Sequence, residues 1–586
     1  MYTSGNHIFA PGQEVAHTPE LERILRSPRR EWSEASAQTL ASMLTPLLSR
    51  PGGTMALRPI QAQALHDAGV HGGGFFPIRV GGGKTLLSLL LAYVIGLRRP
   101  LLLIPASLKE KTKREARELA KHWRIPFEIL RIESYEQLST PQSKYMLLNY
   151  LPDGILTDES HRLKSTKAAV TKRVDEYMDK YPSTVFAAMS GTITKRSIKD
   201  YAHILRWCLK DRAPVPRVWN EMEKWSQALD EKLKSIARVH PGALLQMTTP
   251  EDWTEAEGDE VRAARLGYRR VLAETPGVVC TTEGFAGSSI YIDTDILPAK
   301  ESSASIEGAF THLRDDGLTP DDWPLTDSMS IWRHARELAI GFYYRWSPRP
   351  PPEWLMARKV WFTHIREILK HNQLRLDSDF VVTRQVTSHP EWDNDAYQAL
   401  QVWRQVEPTF VPNTEAVWFD DTVIQRVAKW LSKHPRGIAW VEHTTFGERL
   451  AATTGLPYFG RGGKDAHGRA IDGGEYLGPC IASVASNSTG RNLQWWCDNY
   501  LVSCPPGGAA WEQLLGRTHR EGQEADEIHT TVLIACIEHY DALVRATNDA
   551  QYIQDSTGQA QKLLYADVTL PERWDMMGMP SRRYQR

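Results

Sequence analysis

The sequence predicts an α/β protein in which two parallel-sheet lobes flank a mainly helical insertion. Three observations carry that expectation. Residues 55–210 and 413–550 alternate short apolar, β-branched runs with helix-length stretches, the rhythm of parallel strands joined by crossover helices. That rhythm is lost between 211 and 412, a stretch far longer than any connecting loop. Eleven of the chain's 20 tryptophans fall between Trp219 and Trp418, too aromatic for a disordered linker, so the stretch is expected to fold, chiefly as helices. The chain therefore divides into an N-terminal extension (1–54), a first lobe (55–210), an insertion (211–412), a second lobe (413–550) and a tail (551–586).

Composition bounds the function. With 586 residues, the chain exceeds what a single core supports. A hydrophobic content of 41% and a charged content of 24% are those of an ordinary soluble globular protein. The net charge of −1 gives no global pull toward nucleic acid or membrane, so any anion-binding face is local. The six cysteines include no CxxC pair, which argues against structural zinc or a disulfide framework and suits a reducing compartment. No run is long enough to cross a membrane and no leader pattern opens the chain. A cytoplasmic protein without a membrane partner is expected.

In order, Arg23, Arg26, Arg29 and Arg30 suit phosphate contact or, more commonly, a solvated helix face. The first lobe opens with a strand from Phe75 to Val80, then three glycines and a helix from Lys84. Further strands are expected at 101–106, 127–132, 154–160 and 184–192. In the insertion, SPRPPPEW (347–354) is expected to form a stiff corner, the alternative being a segment that a partner domain binds. The second lobe supplies helices at 423–434, 446–452 and 509–519 and strands at 437–443, 480–484, 499–504 and 528–535. The tail, ending SRRYQR, reads as surface.

Strand, Gly81-Gly82-Gly83, Lys84-Thr85 and helix is the layout of a phosphate-binding loop. Glycines let backbone N–H groups close on phosphate oxygens, and the helix N-terminus adds unpaired donors. Lys84 would reach the β- and γ-phosphates of ATP, and the Thr85 hydroxyl would hold Mg²⁺. Taken alone, the loop is also what a plain glycine turn looks like. Asp158 and Glu159 end a strand at the carboxyl edge of the sheet, where open α/β sheets bind ligands. Asp158 would position Mg²⁺ and Glu159 would polarise the attacking water; a lone solvated strand end has the same residues. Ser190 and Thr192, ending the next strand, suit a relay of nucleotide state or a simple turn. Arg517 and Arg520 are three apart, which on a helix puts both on one face suited to spread phosphate charge, or to surface salt bridges.

These pieces in this order resemble superfamily-two helicase-like ATPases, within them the Swi/Snf type of double-stranded DNA translocase. LRPIQ (57–61), GGGKT (81–85), LLLIPASL (101–108), DESHRLKS (158–165), SGT (190–192), STGRNLQ (488–494) and QLLGRTHREGQ (513–523) match its motifs in sequence. The resemblance implies two RecA-like lobes, adenine read by Gln61, arginine fingers at Arg517 and Arg520, and coupling roles for His161, Ser190, Thr192 and Gln513. It also implies phosphate-backbone contacts at Ser107, Lys109, Lys111, Ser488 and Asn492, and a partner-gripping role for the insertion. Ile193, Pro77–Val80 and the Ser-Thr before Gly490 depart from the family pattern, and a compact prokaryotic or viral member is implied.

The expectation is an ATP hydrolase moving along double-stranded DNA with ATP and Mg²⁺. The rivals are a strand-separating helicase acting on single-stranded DNA or RNA, a motor subunit whose partner supplies nuclease or methylase chemistry, and a non-catalytic scaffold.

Overall fold

Two parallel sheets organise the chain in the computed structural model, which describes residues 2–585 except 5–6, 80, 192–193, 195, 232–236, 282–287, 299–300, 326, 372–375 and 570–581. The first sheet is built from β1 (Gly73–Phe76), β2 (Pro100–Ile104), β3 (Arg131–Ser134), β4 (Gly154–Asp158) and β5 (Val185–Met189). Its order is β1-β5-β4-β2-β3, every pair parallel. β2 and β4 are buried along their whole length, which is why they read as continuous apolar runs. Leu101, Leu103 and Ile155 enter the core on one face, and Leu102, Ile104 and Leu156 the core on the other. Helices α1 (Pro59–His71), α2 (Lys84–Ile95) and α3 (Lys109–Leu119) cover the second of these faces; α4 (Ala169–Lys180) covers the first.

Two strands differ from expectation. β1 stops at Phe76 rather than running to residue 80, because Pro77 has no N–H for the ladder and the Ile78 amide turns back to the Phe76 carbonyl at 2.8 Å. Val80 lies outside the described residues. β3 begins at Arg131, since the amides of Ile129 and Leu130 turn onto the Pro126 carbonyl.

The stretch 211–412 is not one insertion but three pieces. Its first helices, including α5 (Glu260–Ala273), pack Met222, Trp225, Ala264 and Tyr268 into the core under the first sheet. Next, β6 (Ser289–Ile296) joins the second sheet. The last piece hangs from an antiparallel hairpin of β7 (Phe342–Trp346) and β8 (Thr414–Trp418). There α6 (Pro352–His371), α7 (Asp379–Ser388) and α8 (Asn394–Val406) enclose Trp354, Trp361, Trp403 and Phe410. That module also reaches the first lobe: Asp377 accepts from Arg173 Nε of α4 at 2.7 Å, with both side chains buried.

The second sheet adds β9 (Gly437–Val441), β10 (Tyr458–Phe459), β11 (Cys480–Ser483), β12 (Asp498–Leu501), β13 (Glu527–Ile534) and β14 (Asp567–Val568). Its order is β10-β11-β9-β12-β13-β6-β14, again all parallel. Helices α9 (Gly508–Thr518) and α10 (Ile537–Thr557) follow β12 and β13, and α11 (Lys562–Tyr565) precedes β14.

The ends of the chain are not the loose surface they read as. Tyr584 is 1% exposed, and its hydroxyl donates to the carbonyls of Leu297 and Ile534; Arg583, equally buried, donates to Ala339 O and Ser302 Oγ. Near the other end, Arg23 caps the carbonyls of Asp211, Ala213 and Val215, and Arg30 pairs with the fully buried Asp67. A planar guanidinium offers five donors, so Arg23 and Arg30 serve as clamps, while Arg26 stays on the solvated face, paired with Glu22. No described helix is long and apolar enough to cross a membrane.

Candidate functional site

The glycine loop lies between β1 and α2. Gly81 and Gly83 take φ of 89° and 77°, left-handed values that favour glycine. At Gly83 the requirement is also steric, because a Cβ would lie 2.1 Å from Gln61 Nε2. Gln61, third residue of α1, accepts from the Arg58 amide through Oε1 at 2.9 Å and donates to the Gly83 carbonyl through Nε2 at 3.2 Å. Gln61 is thus pinned against the loop. Lys84 is the first residue of α2, and its ammonium donates to the carbonyls of Ile78 and Arg79 at 3.2 and 3.1 Å, closing the loop from within. Thr85 stands next on the first turn, half-buried.

Asp158 ends β4 and Glu159 follows at φ 54°. Both side chains are almost fully buried. Burial, then the neighbouring Glu159 charge, holds the Asp158 carboxyl above the usual range. Burial works against Glu159 too, but His161 and the positive charges of Lys84 and Arg517 overcome it and hold Glu159 ionised. His161 Nδ1 sits 3.2 Å from Glu159 Oε2 and 3.1 Å from Ser190 Oγ, so one ring nitrogen links the two strand ends. Thr192 lies outside the described residues.

Arg517 comes from α9 of the second lobe. It is 3% exposed, and burial lowers its pKa to about 10 while the Glu159 charge opposes that fall. Nε donates to the Gln513 carbonyl at 2.8 Å, one Nη to Gln513 Oε1 and the other to the Arg491 carbonyl, both at 3.2 Å. The single helical face expected for Arg517 and Arg520 is not formed. α9 ends at Thr518, His519 takes non-helical angles, and Arg520 sits on the turn beyond. The two guanidiniums converge all the same, since Arg520 also donates to the Arg491 carbonyl, at 3.1 Å, and to Asn492 Oδ1.

A cavity of about 700 Å³ lies beside the glycine loop, lined by Arg58, Arg79 and Gly81 from the first lobe and by Arg520, Glu521 and Lys562 from the second. Arg58 spans it, donating to the Gly81 carbonyl at 2.8 Å and pairing with Glu521. The sequence reading missed Arg58, Arg491 and Lys562. Arg58 precedes Gln61 in LRPIQ and was legible there; Arg491 acts through its carbonyl, and Lys562 carries no local pattern.

The donor set fits Mg²⁺ carried by phosphate. Among the described residues no group of three or more His, Cys, Asp or Glu is arranged to hold a metal. Phosphate-borne Mg²⁺ keeps its waters and takes only one or two protein oxygens. Thr85 Oγ1, next to Lys84 in the chain, and the Asp158 carboxylate, in the field of Lys84, are the oxygens that would hold such an ion.

Three of the five expected backbone contacts are engaged elsewhere. Lys109 pairs with Glu133 at 2.8 Å, Lys111 donates to the Gly490 carbonyl at 2.5 Å across the cleft, and Asn492 accepts from Arg520. Ser107 is exposed and Ser488 half-buried. No protein-family model matches the chain, and no curated protein matches it either.

Proposed function

We propose that the chain is an ATP hydrolase of the Swi/Snf helicase-like kind, a motor that moves along double-stranded DNA, and that its two parallel-sheet lobes are RecA-like. One observation carries the reading: a glycine loop with a buried lysine and an ionised Glu159 on one lobe faces Arg517 of the other within electrostatic reach. A nucleotide triphosphate is the ligand that needs both halves.

In this reading Lys84 holds the β- and γ-phosphates, and Gln61, fixed against Gly83, meets the adenine. Mg²⁺ held by Thr85 and Asp158 neutralises phosphate charge when bound. Glu159, kept ionised by its neighbours, orients the attacking water and takes up its proton. Arg517 and Arg520 meet the charge that develops on the transferred phosphoryl group. His161, touching both Glu159 and Ser190, ties the hydrolytic carboxylate to the end of β5, and Gln513 orients Arg517. The test is ATP turnover measured without polymer and with duplex DNA, single-stranded DNA and RNA in parallel. Strongest stimulation by duplex supports the reading; stimulation by RNA or single strands alone moves the chain to the helicase class, and no turnover under any condition overturns it.

A further inference from the structure

We propose that Tyr135 positions Glu159: its buried hydroxyl fixes the peptide plane between Asp158 and Glu159, and so aims the carboxylate that activates water. The inference rests on the ATP reading above, and Tyr135 acts through Glu159 rather than on the nucleotide.

Tyr135 opens the one-turn helix Tyr135–Ser139, directly after the edge strand β3. Ser134 Oγ caps that turn, accepting from the Gln137 amide at 3.0 Å. The tyrosine is 3% exposed and shares a core with Leu103, Leu138 and Leu163. Its hydroxyl donates to the Asp158 carbonyl at 2.7 Å, with both ends buried. β2 lies between β3 and β4 in the sheet, but it pairs with β4 only as far as Leu103 with Thr157 and turns at Pro105, which has no N–H. The carbonyl one residue on, at Asp158, is met by the tyrosine instead.

The same peptide group is held at its other end. Its N–H, on Glu159, donates to Asp158 Oδ1 at 2.9 Å. The plane therefore cannot turn over without losing two buried hydrogen bonds. That restraint matters because Glu159 sits at φ 54° and ψ 47°, left-handed backbone that a non-glycine residue leaves downhill. Turning the plane would relax Glu159 toward extended backbone and swing its carboxylate away from His161 and the field of Lys84. Tyr135 stays a donor: burial first, then the Asp158 and Glu159 charges, hold its proton well above the usual phenol range. The other end of β4 carries a matched bond far from the carboxylates. Tyr177 of α4, 2% exposed, donates to the Pro152 carbonyl at 2.8 Å, just before the strand begins.

The test compares Tyr135→Phe with Tyr177→Phe in the full chain, by steady-state ATP turnover with Mg²⁺, titration with a fluorescent ATP analogue, and melting. A buried acceptor left unsatisfied corresponds to about 5–100-fold in an equilibrium. Tyr135→Phe should therefore lower kcat about 5–100-fold with Kd and KM little changed, since Lys84 and Gln61 are untouched. Tyr177→Phe deletes the same kind of bond beside the same strand, and should lose as much melting temperature while keeping the parental kcat. Adding Tyr135→Phe to Glu159→Gln should lower the residual turnover no further, because the group it aims is already gone. Parental kcat in Tyr135→Phe, with Glu159→Gln losing turnover, overturns this inference alone. So do equal kcat losses in the two Phe variants, which make the bond structural, and an undiminished effect of Tyr135→Phe in the Glu159→Gln background. Normal turnover in Glu159→Gln removes the carboxylate assignment and this inference with it. A parent chain that hydrolyses no ATP overturns the ATP reading and this inference together.

Discussion

Glu159 is a glutamate in left-handed backbone, at φ 54°, a conformation that costs a non-glycine residue of order 1 kcal/mol or more. The fold holds it there through the Glu159 amide, which donates to Asp158 Oδ1 at 2.9 Å, and through the buried strand behind it. The cost is repaid in aim: the side chain meets His161 and the field of Lys84 and Arg517 rather than solvent. Glu159→Gln preserves size and hydrogen bonding but cannot accept the water's proton. It should bind ATP normally while turnover falls at least about 100-fold, the scale of a lost general base; normal turnover by this variant sinks the assignment. Lys84→Ala should lose ATP binding itself, as read by equilibrium titration. The two arginines separate differently. Arg517 is buried and makes three hydrogen bonds, so its removal also disturbs α9. Arg520, on the turn, reports more cleanly on the transition state. Arg520→Ala should cut turnover by about 10³–10⁵ with melting temperature nearly unchanged, and Lys at this position should not restore it, because an ammonium lacks the planar fork.

At the scale of elements, what was legible follows from where the signal is local. β2, β4 and β9 announce themselves because each is a short apolar run buried along its whole length, and the glycine loop because three successive glycines before Lys-Thr are a local pattern. β6 does not. Its partner β13 pairs Ile290 with Ile528, and nothing in either segment names the other across so long a separation. Lys562, Arg583 and Tyr584 were equally silent, since their burial is decided by distant carbonyls and carboxylates. Two elements carry predictions. Asp230, on the seam between the α5 region and α10, accepts from the Ile198 amide and the Tyr552 hydroxyl. Burial raises its carboxyl to about 7 against those bonds. The unfolded chain releases the same proton near ~3.9, so between about pH 4 and pH 7 the native state binds more protons and stability falls as pH rises. Asp230→Asn should remove that loss, worth at most about 4 kcal/mol. Its melting temperature should exceed the parent's at pH 8 and approach it near pH 4; a constant offset at both pH values contradicts the account. The helical module offers the second. Trp346 and Thr414 pair at its base, so excising 348–412 can be closed with a two-residue turn. Arg173→Met in the same variant avoids leaving a buried arginine without Asp377. Because this module joins the second lobe to α4 of the first, its loss should leave ATP turnover in place and abolish duplex movement. Unchanged movement dismisses a mechanical role.

For the whole molecule, the cleft is ringed by contacts that cross it: Arg58 with Glu521, Lys111 with the Gly490 carbonyl, and Arg196 with Asp549 at 2.5 Å. Gly490 is pressed so close that a Cβ would lie 2.0 Å from Leu108 Cδ2. If the chain is the proposed motor, alternate closing and opening of the lobes would remake these discrete pairs and so give steps rather than drift. In this structure Lys111 and Asn492 are held at the seam, which leaves few of the expected residues for the DNA backbone. The net charge of −1 adds no diffuse attraction. With about four phosphates neutralised, the slope of log affinity against log salt should be about −3.6 for B-form DNA. Backbone contacts position without reading bases, so binding should show little sequence preference. Lys111→Ala should weaken the seam in the nucleotide-bound state and lower the duplex-stimulated turnover more than the basal rate. The decisive measurement pits two substrates against each other. A motor that tracks intact duplex should displace a triplex-forming strand in an ATP-dependent way while a forked duplex stays annealed. Efficient unwinding of the fork would instead place one strand alone in the cleft, and the chain would belong with the strand-separating helicases.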